Sequence, residues 1–269
     1  MGSTKWSAGQ QRHMLHENYK LWNEKFADDE GEGAIGLDFS MTATGFVHLD
    51  VDGELIEHTT IKTKAKDGTT AQRLNMITAK LREQLQDQKP KVIGYESVNV
   101  QTHVTALKAL SRVSGAFFQV MADYTDQVPY LMSANVSTLK KAATNDVKAQ
   151  KSHMLMEVYI KWDERMDTDD EADAFVCAKL GSKIPAFFDC YEQLLDEEER
   201  DLADVLMDIG KNRHDRFYEL CEEQDITKTE TDALVGTFTG SRKGGNGLKQ
   251  LKENDTDFYY AARKRLKKI

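Results

Sequence analysis

The sequence lacks a long hydrophobic run and has few cysteines. No apolar segment of the 269 residues approaches the roughly 20 residues that a membrane-spanning helix needs. The polar start, residues 1–11, has no apolar core of a signal peptide. Cys177, Cys190 and Cys221 are odd in number and have no CxxC spacing, which argues against a disulfide framework and a thiolate zinc site. The histidines show no ligand spacing either. We therefore expect a cytoplasmic globular protein without membrane contact.

The sequence has no overall excess of positive charge, because 45 acidic residues outnumber 36 basic ones and the net charge is -9. Its distribution is uneven: residues 185–227 carry 4 basic and 14 acidic residues, whereas residues 228–269 carry 10 basic and 5 acidic residues. A basic tail on an acidic protein indicates a polyanionic partner. The tail residues that we expect to contact this partner are Arg242, Lys243, Arg263, Lys264 and Arg265.

Apolar periodicity predicts an α/β fold. The predicted strands are 34–39, 45–50, 55–62, 91–96 and 128–132, and the predicted helices are 70–88, 104–124, 136–143, 147–162 and 170–180. Their order is typical of a mixed five-stranded sheet with helices on both faces. We expect residues 1–33 to be an N-terminal extension that precedes the regular structure. Residues 34–184 would form the main domain, and residues 185–269 would form a helical C-terminal appendage with a basic tail.

Two carboxylates are predicted at the ends of buried strands. Asp38 and Glu96 each follow a short apolar run, and the two strands are expected to be adjacent and parallel. Asp170 and Asp173 lie three residues apart on a predicted helix, so they face one way. An unpaired buried charge costs several kcal/mol, so we expect the four acids to hold a pair of Mg²⁺ or Mn²⁺ ions. The alternative is a set of exposed acids of which two cap a helix N-terminus, which suits Asp170 alone but not all four acids.

Five motifs, in order, resemble those of the RuvC-type Holliday junction resolvases, which have the RNase H-like fold. The motifs are IGLDFSMTATGF (35–46), IKTKAKDGTTAQRL (61–74), VIGYESV (92–98), LKKAATNDVKAQKSHML (139–155) and DEADAF (170–175). The resemblance covers more than half of the chain, and motifs in this order and spacing are specific. It implies a metal-dependent endonuclease that acts as a homodimer and resolves four-way DNA junctions by paired nicks. The extension beyond residue 185 suggests a phage-like or divergent member.

The resemblance also implies roles for single residues. The implied catalytic acids and metal ligands are Asp38, Glu96, Asp170 and Asp173. Lys140 and Lys148 match two family lysines near the scissile phosphate, where an ammonium group stabilises charge in the transition state. Alternatively, both lysines are ordinary solvated residues on the surface of a helix. Asn99 stands where several members carry an aromatic side chain that wedges into the junction, so we expect a different mode of base unstacking.

A basic strip around the predicted turn 67–70 is a candidate phosphate contact. It consists of Lys62, Lys64, Lys66 and Arg73. The alternative is a solvated strand edge, where lysines are common. Ser40, in the turn after Asp38, is a further candidate because its hydroxyl or backbone amide would meet phosphate.

Three other functions are compatible with parts of this pattern. A nuclease of the same fold would cut flaps, forks or other branched DNA without junction specificity. A non-catalytic RNase H-like scaffold would bind nucleic acid, but retention of all four acids argues against it. An actin-like ATPase would need further glycine-rich phosphate loops, and the sequence has none.

Overall fold

The computed structural model describes residues 8–27, 31–85, 88–97, 104–123, 129–198 and 215–239. Its five strands are β1 (Ala34–Asp38), β2 (Ala43–Leu49), β3 (Leu55–Lys62), β4 (Val92–Glu96) and β5 (Tyr130–Ala134). They form one sheet in the order β3-β2-β1-β4-β5. β2 is antiparallel to β1 and β3, whereas β1, β4 and β5 run parallel. The predicted mixed five-stranded sheet is confirmed.

Helices cover both faces of this sheet. They are α1 (Ala8–Lys25), α2 (Thr70–Leu85), α3 (Val104–Ala122), α4 (Val136–Thr144), α5 (Lys151–Trp162), α6 (Asp169–Ser182), α7 (Ile184–Glu198), α8 (Asp215–Glu223) and α9 (Lys228–Thr239). One hydrophobic cluster joins β1 and β4 to α2 and α3, and a second joins the other face to α6 and the remaining helices. Among the described helices, none combines the length and the apolar character that crossing a membrane requires.

The segment before β1 forms a helix, so the prediction that regular structure begins after residue 33 is wrong. Leu15 and Trp22 of α1 are buried, and Tyr19 and Phe26 pack against the same hydrophobic cluster. These four residues are spaced by four, three and four positions, which is the period of one helix face. The charged residues around them masked this stripe in the sequence interpretation.

Helix α6 lies directly on the sheet because the strands beneath it carry glycine. A Cβ atom on Gly36 of β1 would collide with the backbone oxygen of Ala174, and one on Gly45 of β2 would collide with that of Asp170. Glycine permits such a close approach of two backbones. All residues from 171 to 178 are buried. This packing carries the first two turns of α6, with Asp170 and Asp173, to the carboxyl ends of β1 and β4.

The helices beyond residue 184 pack on the same cluster as the sheet. Phe187 of α7, Phe217 of α8 and Phe238 of α9 are buried in it, and an ion pair of 2.8 Å joins Lys141 of α4 to Asp232 of α9. The boundary between a domain at 34–184 and an appendage at 185–269 stays a prediction, and residues on both sides of it share one core. Residues 240–269, which contain most of the predicted basic tail, lie outside the described residues.

Candidate active site

Four acidic side chains meet where β1 and β4 end and α6 begins. The parallel register pairs Leu37 with Tyr95, so the next residues, Asp38 and Glu96, leave the sheet side by side. Carboxylate oxygens of Asp38, Glu96 and Asp173 lie within 4.8 Å of one another. The carboxyl group of Asp170, one helical turn before Asp173, is hydrogen-bonded to Asp38. The structure therefore brings the four acids singled out in the sequence into one group, which we call the acid cluster.

Burial raises the pKa of every member of the acid cluster, and the charge of neighbouring carboxylates adds to this effect. Burial, followed by the charges of Glu96 and Asp173, raises the pKa of Asp38 well above its ordinary value. Burial and then the charge of Asp173 raise the pKa of Glu96 to about 7. Burial also raises the pKa of Asp173 to about 6, and it raises the pKa of Asp170. Carboxylates held this close together are stable in their charged form only when positive charge lies beside them, and an all-oxygen donor set fits a divalent cation.

The lysines of the fourth motif differ in their relation to the acid cluster. Burial raises the pKa of Glu96 and Asp173, and the positive charge of Lys140 on α4 acts in the opposite direction by lowering both pKa values. Lys148 is exposed in the turn before α5, where its backbone N–H donates to Asp146 Oδ1 at 2.8 Å. The assignment of Lys148 to the scissile phosphate therefore stays a prediction.

Lys151 is a basic residue of this site that the sequence interpretation missed. Its Nζ atom lies 2.5 Å from Asp169 Oδ2 and 4.0 Å from Asp170 Oδ1. In the sequence, the one sign of its importance was that Lys151 follows Lys148 by three residues, at the start of α5. That signal was insufficient, because only the packing of α5 against α6 brings Lys151 to the acids.

A different face of α6 is tied to the edge strand β3 through Glu171. Its Oε1 accepts a hydrogen bond from Thr60 Oγ1 at 2.5 Å, and its Oε2 accepts one from the backbone N–H of Asp167 at 3.0 Å. His58 Nδ1 lies 2.9 Å from the same Oε2. Burial acts in the opposite direction, yet the hydrogen bonds from Thr60 and His58 hold the pKa of Glu171 below its ordinary value. Ligand atoms of His58, Asp167 and Glu171 lie within 4.8 Å of one another, but these donors already satisfy Glu171.

The predicted basic strip runs beside the turn that follows Asp38. The backbone N–H of Thr63 donates to Thr42 O at 3.0 Å, which holds the end of β3 against this turn. The exposed lysines of the strip are Lys62, Lys64 and Lys66. They are accessible to a phosphate backbone, and their contact with DNA stays a prediction.

Arg73 and Ser40 help to hold the turn itself. The guanidinium group of Arg73 donates to Met41 O at 2.7 Å and to Thr63 Oγ1 at 3.0 Å. The Ser40 hydroxyl accepts a hydrogen bond from the backbone N–H of Thr42 at 3.2 Å. Both side chains therefore have local structural contacts beside their predicted role toward DNA. The remaining predicted contacts, Asn99, Arg242, Lys243, Arg263, Lys264 and Arg265, lie outside the described residues.

Comparison with known proteins agrees with the motifs. The family model described as crossover junction endodeoxyribonuclease RuvC matches residues 34–179. A protein of the same description from Polynucleobacter necessarius subsp. necessarius (strain STIR1) is 24% identical over 158 residues, which span 57% of this chain and 92% of that protein. RuvC of T. thermophilus in complex with a Holliday junction substrate has 19% identity and a TM-score of 0.48, covering 54% of this chain and 90% of that one. The yeast mitochondrial Holliday junction resolvase has 13% identity and a TM-score of 0.46, covering 71% and 99%.

Proposed function

The chain belongs to the RuvC family of crossover junction endodeoxyribonucleases, and we propose that its acid cluster is the catalytic, metal-binding centre. Family membership makes the protein a structure-selective nuclease that resolves four-way DNA junctions. The observation that carries the proposal is the convergence of Asp38, Glu96 and Asp173 within 4.8 Å. Their raised pKa values support it, because burial and neighbouring like charges both disfavour the ionised carboxylates.

We expect two ions of Mg²⁺ or Mn²⁺ per active site, held by Asp38, Glu96, Asp170 and Asp173. When bound, such ions activate a water molecule and stabilise the leaving 3'-oxygen. The protein itself contributes the placement of the carboxylates. β1 and β4 set the spacing of Asp38 and Glu96, whereas α6 presents Asp170 and Asp173 from a backbone that packs on the sheet.

Lys140 and Lys148 are proposed to act near the scissile phosphate. The role of Lys140 is supported by its electrostatic effect on Glu96 and Asp173. The role of Lys148 is supported by the motif resemblance. Replacement of either lysine by alanine should lower the cleavage rate more than the DNA affinity, because the charge matters most in the transition state. If instead affinity and its salt dependence fall while the single-turnover rate holds, these lysines are ordinary phosphate contacts.

A four-way junction is resolved by two opposed nicks, so the proposal includes a homodimer. We assign its interface to α3, on which Val113 and Phe117 are buried while Leu110 and Phe118 are partly exposed. A Cβ atom on the exposed Gly115 would meet no described atom within 4 Å. Gly115→Arg should therefore leave the monomer folded but separate the dimer, as measured by sedimentation. Gly115→Ala is its control.

The basic strip and the basic tail are proposed to add DNA affinity without taking part in the chemistry. Their lysines and arginines would neutralise phosphates, and each neutralised phosphate makes binding more sensitive to salt. Truncation before Ser241 should weaken junction binding with a shallower salt slope, while metal-dependent nicking persists at high enzyme concentration. Unchanged affinity and slope would contradict this part. We place the reaction in the cytoplasm, or in the host cytoplasm if the protein is phage-encoded.

A panel of DNA substrates tests the proposed function. The protein is incubated with Mg²⁺ and a four-way junction, a fork, a flap and a duplex, beside the Asp173→Asn variant. We expect paired nicks in the junction by the wild type and none by the variant. Preferential cutting of forks or flaps would indicate a branched-DNA nuclease of the same fold. Junction binding without cleavage in any divalent metal would indicate a scaffold.

A further inference from the structure

The solvent-facing side of α5 carries apolar side chains that stay exposed in the described structure. Among the described residues, seven large apolar side chains are exposed, and three of them are Met156, Tyr159 and Ile160, at 51%, 55% and 65%. Their spacing of three and four positions places them on one helix face, whereas Met154 and Val158 of the same helix are buried. Adjacent exposed apolar side chains typically mark a contact surface. We call Met156, Tyr159 and Ile160 the α5 patch.

The chemistry of the α5 patch favours a polypeptide over a nucleic acid as its partner. Residues 152–160 contain no lysine or arginine, and the histidine in this stretch, His153, is paired with Glu157 at 3.0 Å. A surface that attracts a phosphate backbone needs basic side chains. Tyrosine and methionine are instead enriched where proteins contact one another. The α5 patch therefore fits apolar or aromatic side chains of a polypeptide.

The last described helix, α9, starts beside the end of α5. Lys161 Nζ of α5 lies 3.5 Å from Glu230 Oε1 of α9. Thr229 Oγ1 of α9 also donates to Asn145 Oδ1, in the turn between α4 and α5, at 2.9 Å. α9 has 12 residues, and the described part of the chain ends with it. Because a helix rises 1.5 Å per residue, the following residues leave α9 on the order of 20 Å from the end of α5.

Residues 240–269, which lie outside the described residues, supply a candidate for the α5 patch. They include three consecutive aromatic residues at 258–260, which we call the aromatic segment. The 18 residues from 240 to 257 span at most about 60 Å, so the aromatic segment can reach α5 from the end of α9. Both belong to one chain, which gives the aromatic segment a high effective concentration at the α5 patch.

We propose that the α5 patch is the docking site of the chain's own aromatic segment, and that this contact holds the basic residues 263–268 near the acid cluster. The inference deepens the DNA-binding role proposed for the tail and rests on it. α5 begins beside the acid cluster, and it rises about 12 Å from there to Tyr159. The basic residues follow the aromatic segment by three to eight positions, a reach of up to about 10 to 27 Å. Docking therefore brings positive charge to the side of the molecule where the DNA strand would be cut.

Cysteine cross-linking in the full chain tests the contact itself. The native Cys177, Cys190 and Cys221 are buried, so mild oxidation reports on exposed cysteines that are introduced in pairs. Ile160→Cys is combined in turn with Phe258→Cys, Tyr259→Cys and Tyr260→Cys, and we expect at least one pair to form an intramolecular disulfide. Ile56→Cys is the matched control for Ile160→Cys, because Ile56 is 55% exposed on β3, and its pairs should stay reduced.

Three results of the cross-linking would overturn the inference. A disulfide between two chains would show that a second copy occupies the α5 patch. Equal cross-linking of the Ile160→Cys and Ile56→Cys pairs would show that the aromatic segment has no preferred place. Reduced cysteines in all pairs would show that the aromatic segment does not dock on α5.

Junction affinity tests the consequence of docking. The patch variant combines Tyr159→Ser with Ile160→Ser, and the segment variant combines Phe258→Ser, Tyr259→Ser and Tyr260→Ser. We expect each to bind a four-way junction in Ca²⁺ severalfold more weakly, with a shallower salt slope. The two sets combined should bind within about twofold of either alone, because they remove the same contact. Val51→Ser with Ile56→Ser, at positions that are 66% and 55% exposed, is the matched control and should bind as the wild type does.

Wild-type affinity of the patch variant, or additive losses in the combined variant, would overturn the inference. Additive losses would mean that the α5 patch and the aromatic segment act separately, one of them on the DNA or on another protein. Neither measurement depends on cleavage. A wild-type protein that binds junctions but cuts none in Mg²⁺ would therefore overturn the proposed function, whereas the cross-links would still decide the docking site.

Discussion

Glu171 and Asp173 lie two residues apart on α6, and both are buried, yet their surroundings move their pKa values in opposite directions. Glu171 accepts hydrogen bonds from Thr60 and from the backbone of Asp167, and its pKa is lowered although burial opposes the change. Asp173 faces the carboxylates of Asp38 and Glu96 instead, and burial raises its pKa to about 6. Burial of an acid therefore does not by itself indicate a metal site.

The two acids show how one helix start serves both structure and function. Donors around Glu171 stabilise its charge and fix the first turn of α6 to β3. The like charges around Asp173 repel one another, and cations would reduce this repulsion. The fold tolerates the repulsion because α6 is anchored to β3 through Glu171. Stability on one face of the helix thus permits an electrostatically unfavourable arrangement on the other.

The largest expected effect is loss of cleavage when a member of the acid cluster is neutralised. Asp38→Asn, Glu96→Gln and Asp173→Asn should each slow cleavage by at least about a thousandfold, or about 4 kcal/mol of barrier. Junction binding in Ca²⁺ should persist, as measured by gel shift. Glu83→Gln, on the exposed face of α2, is the control that should keep full activity. Retained cleavage by any of the three variants would remove that acid from the metal site.

A smaller loss of activity is expected when Asp170 is displaced and not neutralised. A Cβ atom on Gly45 would collide with the backbone oxygen of Asp170, so Gly45→Ala should shift the start of α6. We expect a rate loss of about 10- to 100-fold, since small misplacements of catalytic groups have effects of this size. Gly115→Ala is the matched control, because its Cβ meets no described atom within 4 Å. Equal single-turnover rates for the two variants would contradict the packing argument.

Glu171→Gln tests the structural half of the comparison. The amide has one acceptor oxygen in place of two, so donors from β3 and from Asp167 lose part of their pairing. We expect the free energy of unfolding to fall by about 1 to 3 kcal/mol, measured by urea denaturation. Cleavage should fall far less than in Asp173→Asn. A stable Glu171→Gln protein without activity would reverse the assigned roles.

The pH dependence of stability should separate the same two acids. The folded pKa values of Asp173, about 6, and Glu96, about 7, exceed ordinary unfolded values. The folded state therefore binds more protons than the unfolded state in this window, and the stability of the metal-free protein falls as pH rises from about 4 to 7. Glu171 has the opposite sign: its lowered pKa contributes stability above its ordinary pKa, which is lost as pH falls through the folded value.

Thermal unfolding of EDTA-treated protein between pH 5 and pH 8 measures this difference. We expect Asp173→Asn to flatten the decline and to raise metal-free stability near pH 8 by on the order of 1 kcal/mol. Added Mn²⁺ should reverse the decline in the wild type, because it binds the charged carboxylates of the folded state. A metal-free wild type that becomes more stable from pH 5 to pH 8 would contradict the raised pKa values.

Much of the fold was predictable from the sequence because its signals are local. Apolar runs that end in Asp38 and Glu96 predicted β1 and β4, and the helical period predicted α2 and α3. The glycines that let α6 approach the sheet were visible as residues, but their partners were not. The stripe from Leu15 to Phe26 shows that a local signal is also lost when charged residues surround it.

The sequence by itself singled out the four acids, because carboxylates at the ends of apolar strands and on one face of a helix carry a desolvation cost that cations would offset. Only the tertiary structure decided which neighbours these acids have. Lys151, Glu171 and Thr60 reach the start of α6 from different elements of the chain. Local periodicity carries no information on such contacts, because charge and hydrogen-bond pairing depend on distances that exist only after the helices have packed against the sheet.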